Sequence, residues 1–330
     1  MSMRSVCFGL WLCLGLASVA CGSERPNVAQ VPKHQPGPNP FSGNKLFVDP
    51  GMHSVKQADA WRAQRPEDAA LMDKIATQPQ AEWLGEWSGA VKLFVRGKMQ
   101  QYAAANAMGL FIVYNIPDRD CGQHSKGGAK NGAAYLEWIN KIADGVDDGK
   151  AVIVLEPDAL GLLEKCTVKA KHAERYQLLA DAIRIFKAHP GIHVYLDAGN
   201  ARWLPPEQIA QHLNAGGLDY ADGFSLNVSN YVATDETLAF GKKVSALTGG
   251  AHFVIDTARN GNGAAPGNEW CNPDGRALGI PPTTDTDEPL CDAFLWLKRP
   301  GESDGACNGG PRAGEWWPAQ ALGMAKRSKY

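Results

Sequence analysis

The feature that most constrains this chain is an alternation of short apolar runs with longer amphipathic ones. The apolar runs fall near Leu46–Val48, Leu110–Ile116, Val152–Leu155, Val194–Leu196, Phe224–Leu226, Phe253–Ile255 and Phe294–Leu297. Between them, Gly132–Val146, Ala173–Lys187, Pro206–Leu213 and Thr234–Leu247 repeat apolar residues with helical spacing. Strand followed by helix, sustained over most of the chain, predicts a parallel sheet closed or nearly closed into a barrel. A doubly wound open sheet is the competing arrangement, but no G-x-G-x-x-G follows the early strands. The 330 residues are 44% hydrophobic and 21% charged, which excludes disorder, collagen-like repeats and coiled coil. A formal charge of −2 offers no basic face, so nucleic acid is not an expected partner.

Ahead of this region, Arg4 precedes an apolar run from Val6 to Ala20. The run is too short for a comfortable membrane span and reads as an export signal over residues 1–20. Cleavage after Ala20 suits simple secretion. Ser18-Val19-Ala20-Cys21 also loosely matches a bacterial lipobox, which would put a lipid anchor at Cys21. Residues 21–40 are Pro-rich and polar and read as an extended, mobile tether. One folded domain is expected over residues 41–330.

Export changes how the eight cysteines read. Cys7 and Cys13 leave with the signal, and Cys21 is either a lipid site or a loose end. None of the remaining five lies in a C-x-x-C pair or beside an H-x-x-x-H, so a zinc site is not expected. Cys291 lies in a strand-like apolar run and is expected to be the buried free thiol. Cys121 with Cys166 and Cys271 with Cys307 would close loops of roughly 45 and 36 residues, each stabilising by about 4 kcal/mol in the chain-entropy model.

In a parallel barrel, chemistry collects just past the C-terminal ends of the strands. Here those positions are unusually polar. Tyr114, Asp118, Arg119 and Asp120 follow the second run, Glu156 and Asp158 the third, Asp197 and Asn200 the fourth. Asn227 and Asn230 follow the fifth, Asp256 and Arg259 the sixth, and Lys298, Glu302 and Asp304 the last. A single Asp after a strand is commonly a cap or turn residue. Carboxylates after at least five strands are expected to converge on one cleft and push each other's pKa apart. Such a group could hold a hard metal or do general acid–base work. Trp83, Trp203 and Trp270 lie in or beside the same loops, whereas Trp296 sits within a strand and reads as core. Indole faces beside acidic groups suit sugar rings, and the combination points to a glycosidase.

The residues that carry this pattern resemble glycoside hydrolase family 6, the inverting cellulases. Tyr114-Asn115-Ile116-Pro117-Asp118-Arg119-Asp120-Cys121 resembles the first signature of the family, and Leu155-Glu156-Pro157-Asp158-Ala159-Leu160 the second. Further matches run in family order through Leu196-Asp197-Ala198-Gly199, Asn227-Val228-Ser229-Asn230-Tyr231, Ile255-Asp256-Thr257-Ala258-Arg259-Asn260-Gly261, Trp270-Cys271-Asn272-Pro273 and Lys298-Arg299-Pro300-Gly301-Glu302-Ser303-Asp304-Gly305. The resemblance implies a distorted, incomplete parallel β/α barrel of about seven strands. It implies Asp158 as general acid, Asp120 as the residue that raises its pKa and positions water, and Asp304 as a candidate base. Tyr114 would distort the sugar at the cleavage site. Trp83 and Trp270 resemble the stacking pair on the non-reducing side, and Trp203 the first platform beyond the scissile bond. Asn230, Lys298 and Glu302 resemble polar sugar contacts. Asn200 stands where many relatives carry His, and Lys126 falls in a mobile loop where a small residue is common. The family's disulfides match the two pairs above. No cofactor or metal is implied.

The leading expectation is an exported, monomeric, endo-acting β-1,4-glucanase acting on cellulose and soluble β-glucan. The segments Asp197–Gly223 and Asn260–Pro300 read as too short to roof the cleft. The alternatives are a cellobiohydrolase of the same family, or a surface glycan-binding protein on the same scaffold. A metal-dependent hydrolase ranks third.

Overall fold

The computed structural model describes residues 30–35 and 37–330. The expected export signal and the lipobox lie outside the described residues. Seven parallel strands form one sheet in chain order: β1 Glu82–Leu84, β2 Gly109–Val113, β3 Ala151–Leu155, β4 Ile192–Asp197, β5 Gly223–Leu226, β6 His252–Asp256 and β7 Cys291–Leu295. The helices are α1 His53–Trp61, α2 Pro66–Ala76, α3 Val91–Ala104, α4 Gly132–Val146, α5 Leu163–Cys166, α6 His172–Lys187, α7 Pro206–Ala215, α8 Thr234–Leu247 and α9 Pro318–Arg327.

The strands are nearly continuous apolar runs because both faces of the sheet are buried. Alternate residues divide between the two faces. Phe111, Val113, Ile153, Leu155, Val194, Leu196, Phe224 and Phe253 pack outward against the helices. Leu110, Ile112, Val152, Val154, Tyr195, Val254, Ala293 and Leu295 form a separate inner cluster, joined by Phe41. Residues of β2 and β3 can meet residues of β6 and β7 only if the sheet curls. The edges approach without a ladder: Ala81 N–H donates to the Trp296 carbonyl at 3.1 Å, and the Trp83 indole to the Leu297 carbonyl at 2.9 Å. The result is an incomplete, distorted barrel.

Local signals set several boundaries. Asn131 caps α4, its side-chain oxygen accepting the Ala134 N–H at 2.9 Å. Pro66, Pro206 and Pro318 open α2, α7 and α9, where a missing N–H costs nothing. The strand expected at Leu46–Val48 is not one. Leu46 makes a single bridge to Met108 before Asp49-Pro50-Gly51 turns the chain away. The first strand is instead β1, Glu82–Leu84, three residues that are too few to announce themselves in the sequence. The last strand also starts and ends earlier than expected, releasing Trp296 into a core with Met72, Ile75 and Leu278.

The structure joins Cys121 to Cys166 and Cys271 to Cys307, and Cys291 is free and buried. Part of the expected mobile tether is docked. Lys33 pairs with Asp219 at 2.6 Å, and the His34 N–H donates to the Asp219 carbonyl at 2.6 Å. This contact lies at the end of the barrel opposite the strand C-termini. No described helix is long and apolar enough to cross a membrane.

Candidate active site

The loops after the strand C-termini enclose a cleft of about 840 Å³. Their backbone is strained: Asp120, Cys121, Glu156, Asp158, Asn227 and Ser229 all have positive φ, between 50° and 73°. Left-handed backbone is unfavourable for residues with a Cβ, and its clustering at one mouth marks a functional site. The Cys121–Cys166 bridge braces the β2 loop against the segment after β3, and Cys271–Cys307 joins the loops after β6 and β7.

Apart from Asp118, which turns to the surface and pairs with Lys171 at 3.0 Å instead of joining the cleft, the strand-end aspartates and Glu156 divide into two groups. Asp120, Asp158 and Asp304 line the cleft. Glu156, Asp197 and Asp256 are buried beneath it and hold neighbouring loops by their backbone N–H groups. Glu156 accepts from Asn115 and Ile116 at 3.0 Å. Asp197 accepts from Asp158 at 3.0 Å and Gly199 at 2.9 Å, and Asp256 from Ser229, Ala258 and Lys298 at 3.0 Å. The expectation that all these acids would meet in one cleft is therefore corrected for these three. Burial pushes Glu156 and Asp197 up to about 7 despite these donors.

Asp158 accepts the Tyr114 hydroxyl at 3.2 Å. Burial, then repulsion from Asp197 and Asp120, pushes its carboxyl well above the ordinary aspartate value, against the effect of that hydrogen bond. Asp120 takes the Ser125 N–H on one oxygen at 2.6 Å, and burial raises its pKa too. Asp304 differs. Arg259 reaches both its oxygens at 2.9 and 3.0 Å, the Tyr231 hydroxyl donates at 2.9 Å and the Asn272 N–H at 3.1 Å, with the Lys298 ammonium 3.9 Å away. Its carboxylate is saturated with donors.

The expected sugar-contact residues mostly converge. Trp83, Trp203, Asn230, Trp270, Lys298 and Glu302 share the cleft with the acids. Trp83 meets Tyr114 edge-on at 5.5 Å, and the Lys298 ammonium lies 5.7 Å from the Trp83 ring, its pKa lowered by burial. Trp203 rests on two glycines: a Cβ on either Gly161 or Gly199 would stand 2.7 Å from its Cε3. Asn200 is the exception. It is buried and does not line the cleft; its side-chain oxygen takes the Arg202 N–H at 3.0 Å and closes the turn. Arg119, Tyr231 and Glu86, which the sequence did not single out as site residues, hold Tyr114, Asp304 and Arg119 respectively. Of these, Arg119 and Tyr231 stood inside the quoted motifs.

Among the described residues, one cluster of His, Cys or acid has metal-like proximity: His124 with Cys271 and Cys307. Its two sulfurs are spent in the disulfide, so it offers no thiolate.

A family model for glycosyl hydrolases family 6 matches residues 41–328, nearly the whole of the folded part. The chain belongs to glycosyl hydrolases family 6. Its sequence is 43% identical over 295 residues to endoglucanase A of Cellulomonas fimi, covering 89% of this chain and 63% of that protein. This family 6 chain thus spans somewhat under two thirds of that relative. In structure it matches the endoglucanase Cel6 from Mycobacterium tuberculosis, solved with a thio-linked cellobioside, at TM-score 0.83 and 42% identity, covering 88% of this chain and 99% of the other. The catalytic core of the cellobiohydrolase Cel6A from Chaetomium thermophilum matches at TM-score 0.73 and 26% identity, covering 88% and 98%.

Proposed function

We propose that the chain is an endo-acting β-1,4-glucanase that hydrolyses cellulose and soluble β-glucan with inversion. The observation that carries this reading is Asp158, a carboxyl whose pKa is pushed well above the ordinary aspartate value by burial and then by Asp197 and Asp120, in a cleft that also holds the indoles. Strand order runs from Trp83 in β1, through Asp120 after β2 and Asp158 after β3, to Trp203 after β4. A glucan stacked on both indoles would lay a glycosidic bond over the two acids.

In the reaction, Asp158 gives its proton to the leaving glycosidic oxygen as the C1–O bond breaks. Water attacks C1 from the opposite face and loses a proton. Asp120 has one oxygen free of donors and receives that proton through water. Asp304, tied to Arg259, Tyr231 and Asn272, serves to fix Arg259 and Lys298 rather than to act as the base. Tyr114, wedged between Trp83 and the Arg119 guanidinium, presses on the sugar at the cleavage site. Trp270, Asn230, Lys298 and Glu302 hold the chain on the non-reducing side. Exposed lining residues such as Trp270, at 37%, suit an open cleft that internal bonds enter from the side. The greater identity to named endoglucanases than to the cellobiohydrolase supports the same choice. Two disulfides suit an oxidising compartment, and we place the mature chain outside the cytoplasm as a monomer, free or anchored through Cys21.

The test is hydrolysis of carboxymethyl cellulose, with viscosity and reducing ends followed together and the first product read by proton NMR. Viscosity should fall well before reducing ends accumulate, and the α-anomer should appear before mutarotation. Cellobiose release with viscosity preserved would replace this reading with the cellobiohydrolase, and initial β product would reject inversion.

A further inference from the structure

One indole in the cleft wall has no role in the reaction above. Trp87 lies in a single turn, Glu86–Ser88, just after β1, and is 55% exposed while lining the same cleft as Trp83. A large apolar side chain left this open is ordinarily free to change rotamer, but this one is held. Its ring folds back over Gly85, where a Cβ would stand 2.3 Å from Cζ3, so only glycine permits the pose. The Arg119 guanidinium stacks 5.1 Å from the ring. Arg119 is itself immobilised by Glu86 at 2.7 and 2.9 Å, by the Tyr114 carbonyl at 2.6 Å and by the Ser125 carbonyl at 2.7 Å. An exposed aromatic surface ordered before binding loses little entropy when a ligand stacks on it.

The position of Trp87 narrows the ligand. Trp83 lies in β1 and Trp87 just after it, on one side of β3 and the Asp158 loop that follows it, whereas Trp203 follows β4 on the other. Trp87 therefore extends the Trp83 side of the cleft, away from Trp203, and charged groups rim it as sugar hydroxyls require. We propose that Trp87 is a further glucosyl-binding platform, taking a sugar of the β-1,4-glucan chain beyond the one stacked on Trp83. The proposal rests on the glucanase reading and adds a length preference to it. Chains long enough to reach Trp87 bind better than those that stop short.

The test is the length dependence of binding and of cleavage. On an Asp158→Asn background, calorimetry should show cellohexaose bound about tenfold more weakly after Trp87→Ala, with cellotriose far less affected and Trp87→Phe recovering most of the loss. In the otherwise native enzyme, Trp87→Ala should raise KM for cellohexaose and leave kcat in place. Equal losses at both lengths, or none at either, would overturn the platform. Trp87-dependent binding of cellohexaose that the native chain never cleaves would overturn the glucanase reading and leave the platform standing.

Discussion

The two ends of the barrel use the same kind of side chain to opposite effect. At the end away from the cleft, Asp222 lies 2.7 Å from Lys187 and 2.8 Å from His193. Burial there would raise its carboxyl, but His193 and Lys187 outweigh it and hold the pKa below the ordinary value. Asp292, likewise buried, takes the Tyr195 hydroxyl at 2.6 Å and meets His252 at 2.9 Å. At the mouth, burial is joined by repulsion, because the nearest charges to Asp158 are Asp197 and Asp120. Pairing acids with bases lowers a carboxyl's pKa and makes a support; facing acids with acids raises it, as the proposed proton donor requires. The residue type does not decide between these outcomes, and the neighbours do.

The sharpest way to break this comparison is to neutralise one acid at each end. Asp158→Asn should lower kcat/KM on cellulose by about 10²–10⁴-fold, the range for a lost general acid, with the melting temperature unchanged or raised because a repulsion is removed. Asp222→Asn should leave kcat unchanged and cost about 3 kcal/mol of stability by stranding Lys187 and His193. Steady-state kinetics and denaturant unfolding on both variants check this. Comparable loss of hydrolysis in the two would mean that the ends are not functionally distinct.

The pH dependence of stability sharpens the same contrast, since the two ends fail at opposite limits. Asp222, with its pKa lowered, contributes stability that is present above its ordinary value of 3.8 and is lost as pH falls below it. Glu156 and Asp197, raised to about 7, contribute stability that is present below their ordinary values of 4.5 and 3.8. That contribution is lost as pH rises through about 7. Melting temperature should therefore be highest near pH 4 and fall as pH rises from there to about 7, that alkaline limb being worth on the order of a few kcal/mol. Asp197→Asn should flatten the alkaline limb and shift the alkaline fall of kcat/KM to lower pH, because Asp158 loses a repelling neighbour. A profile flat from pH 4 to 8 would contradict the assignment.

The smallest expected effect concerns the indole at the mouth. Gly161→Ala places a methyl against the Trp203 ring and should tilt it without disturbing the acids. KM for cello-oligosaccharides should rise about threefold, a fraction of a kcal/mol, with kcat preserved. An unchanged KM would show that the glycine cradle does not position the platform.

Much of this molecule was legible because its signals are local. Runs such as Val152–Leu155 and Phe253–Ile255 read as strands from their own apolar and β-branched content and fall inside β3 and β6, and α4 and α8 were placed to the residue by periodicity. Glu82–Leu84 escaped because three residues carry no period, and with it went the signal that Glu86 and Trp87 begin a strand-end loop. The cysteine pairs and the buried Cys291 were also readable, as were Asp158 and Asp120, which sit inside contiguous motifs.

By itself, then, the sequence determined the order of the elements, the composition of the core and the short stretches that carry the acids. Only the tertiary structure decided what each acid does. Glu156 follows β3, and Asp197 and Asp256 close β4 and β6, at the same sheet end as Asp120 and Asp158, yet they bond backbone N–H groups under the cleft instead of facing it. Asp304 is saturated by Arg259, Tyr231 and Asn272, residues brought to it from the loops after β5 and β6. Asn200 turned inward for the sake of one N–H, and Trp87 became a fixed surface because Gly85 and Arg119 hold it. The reason is physical: periodicity and caps act between residues a few positions apart, whereas burial and charge–charge coupling depend on distance in space. That distance is set when the sheet curls.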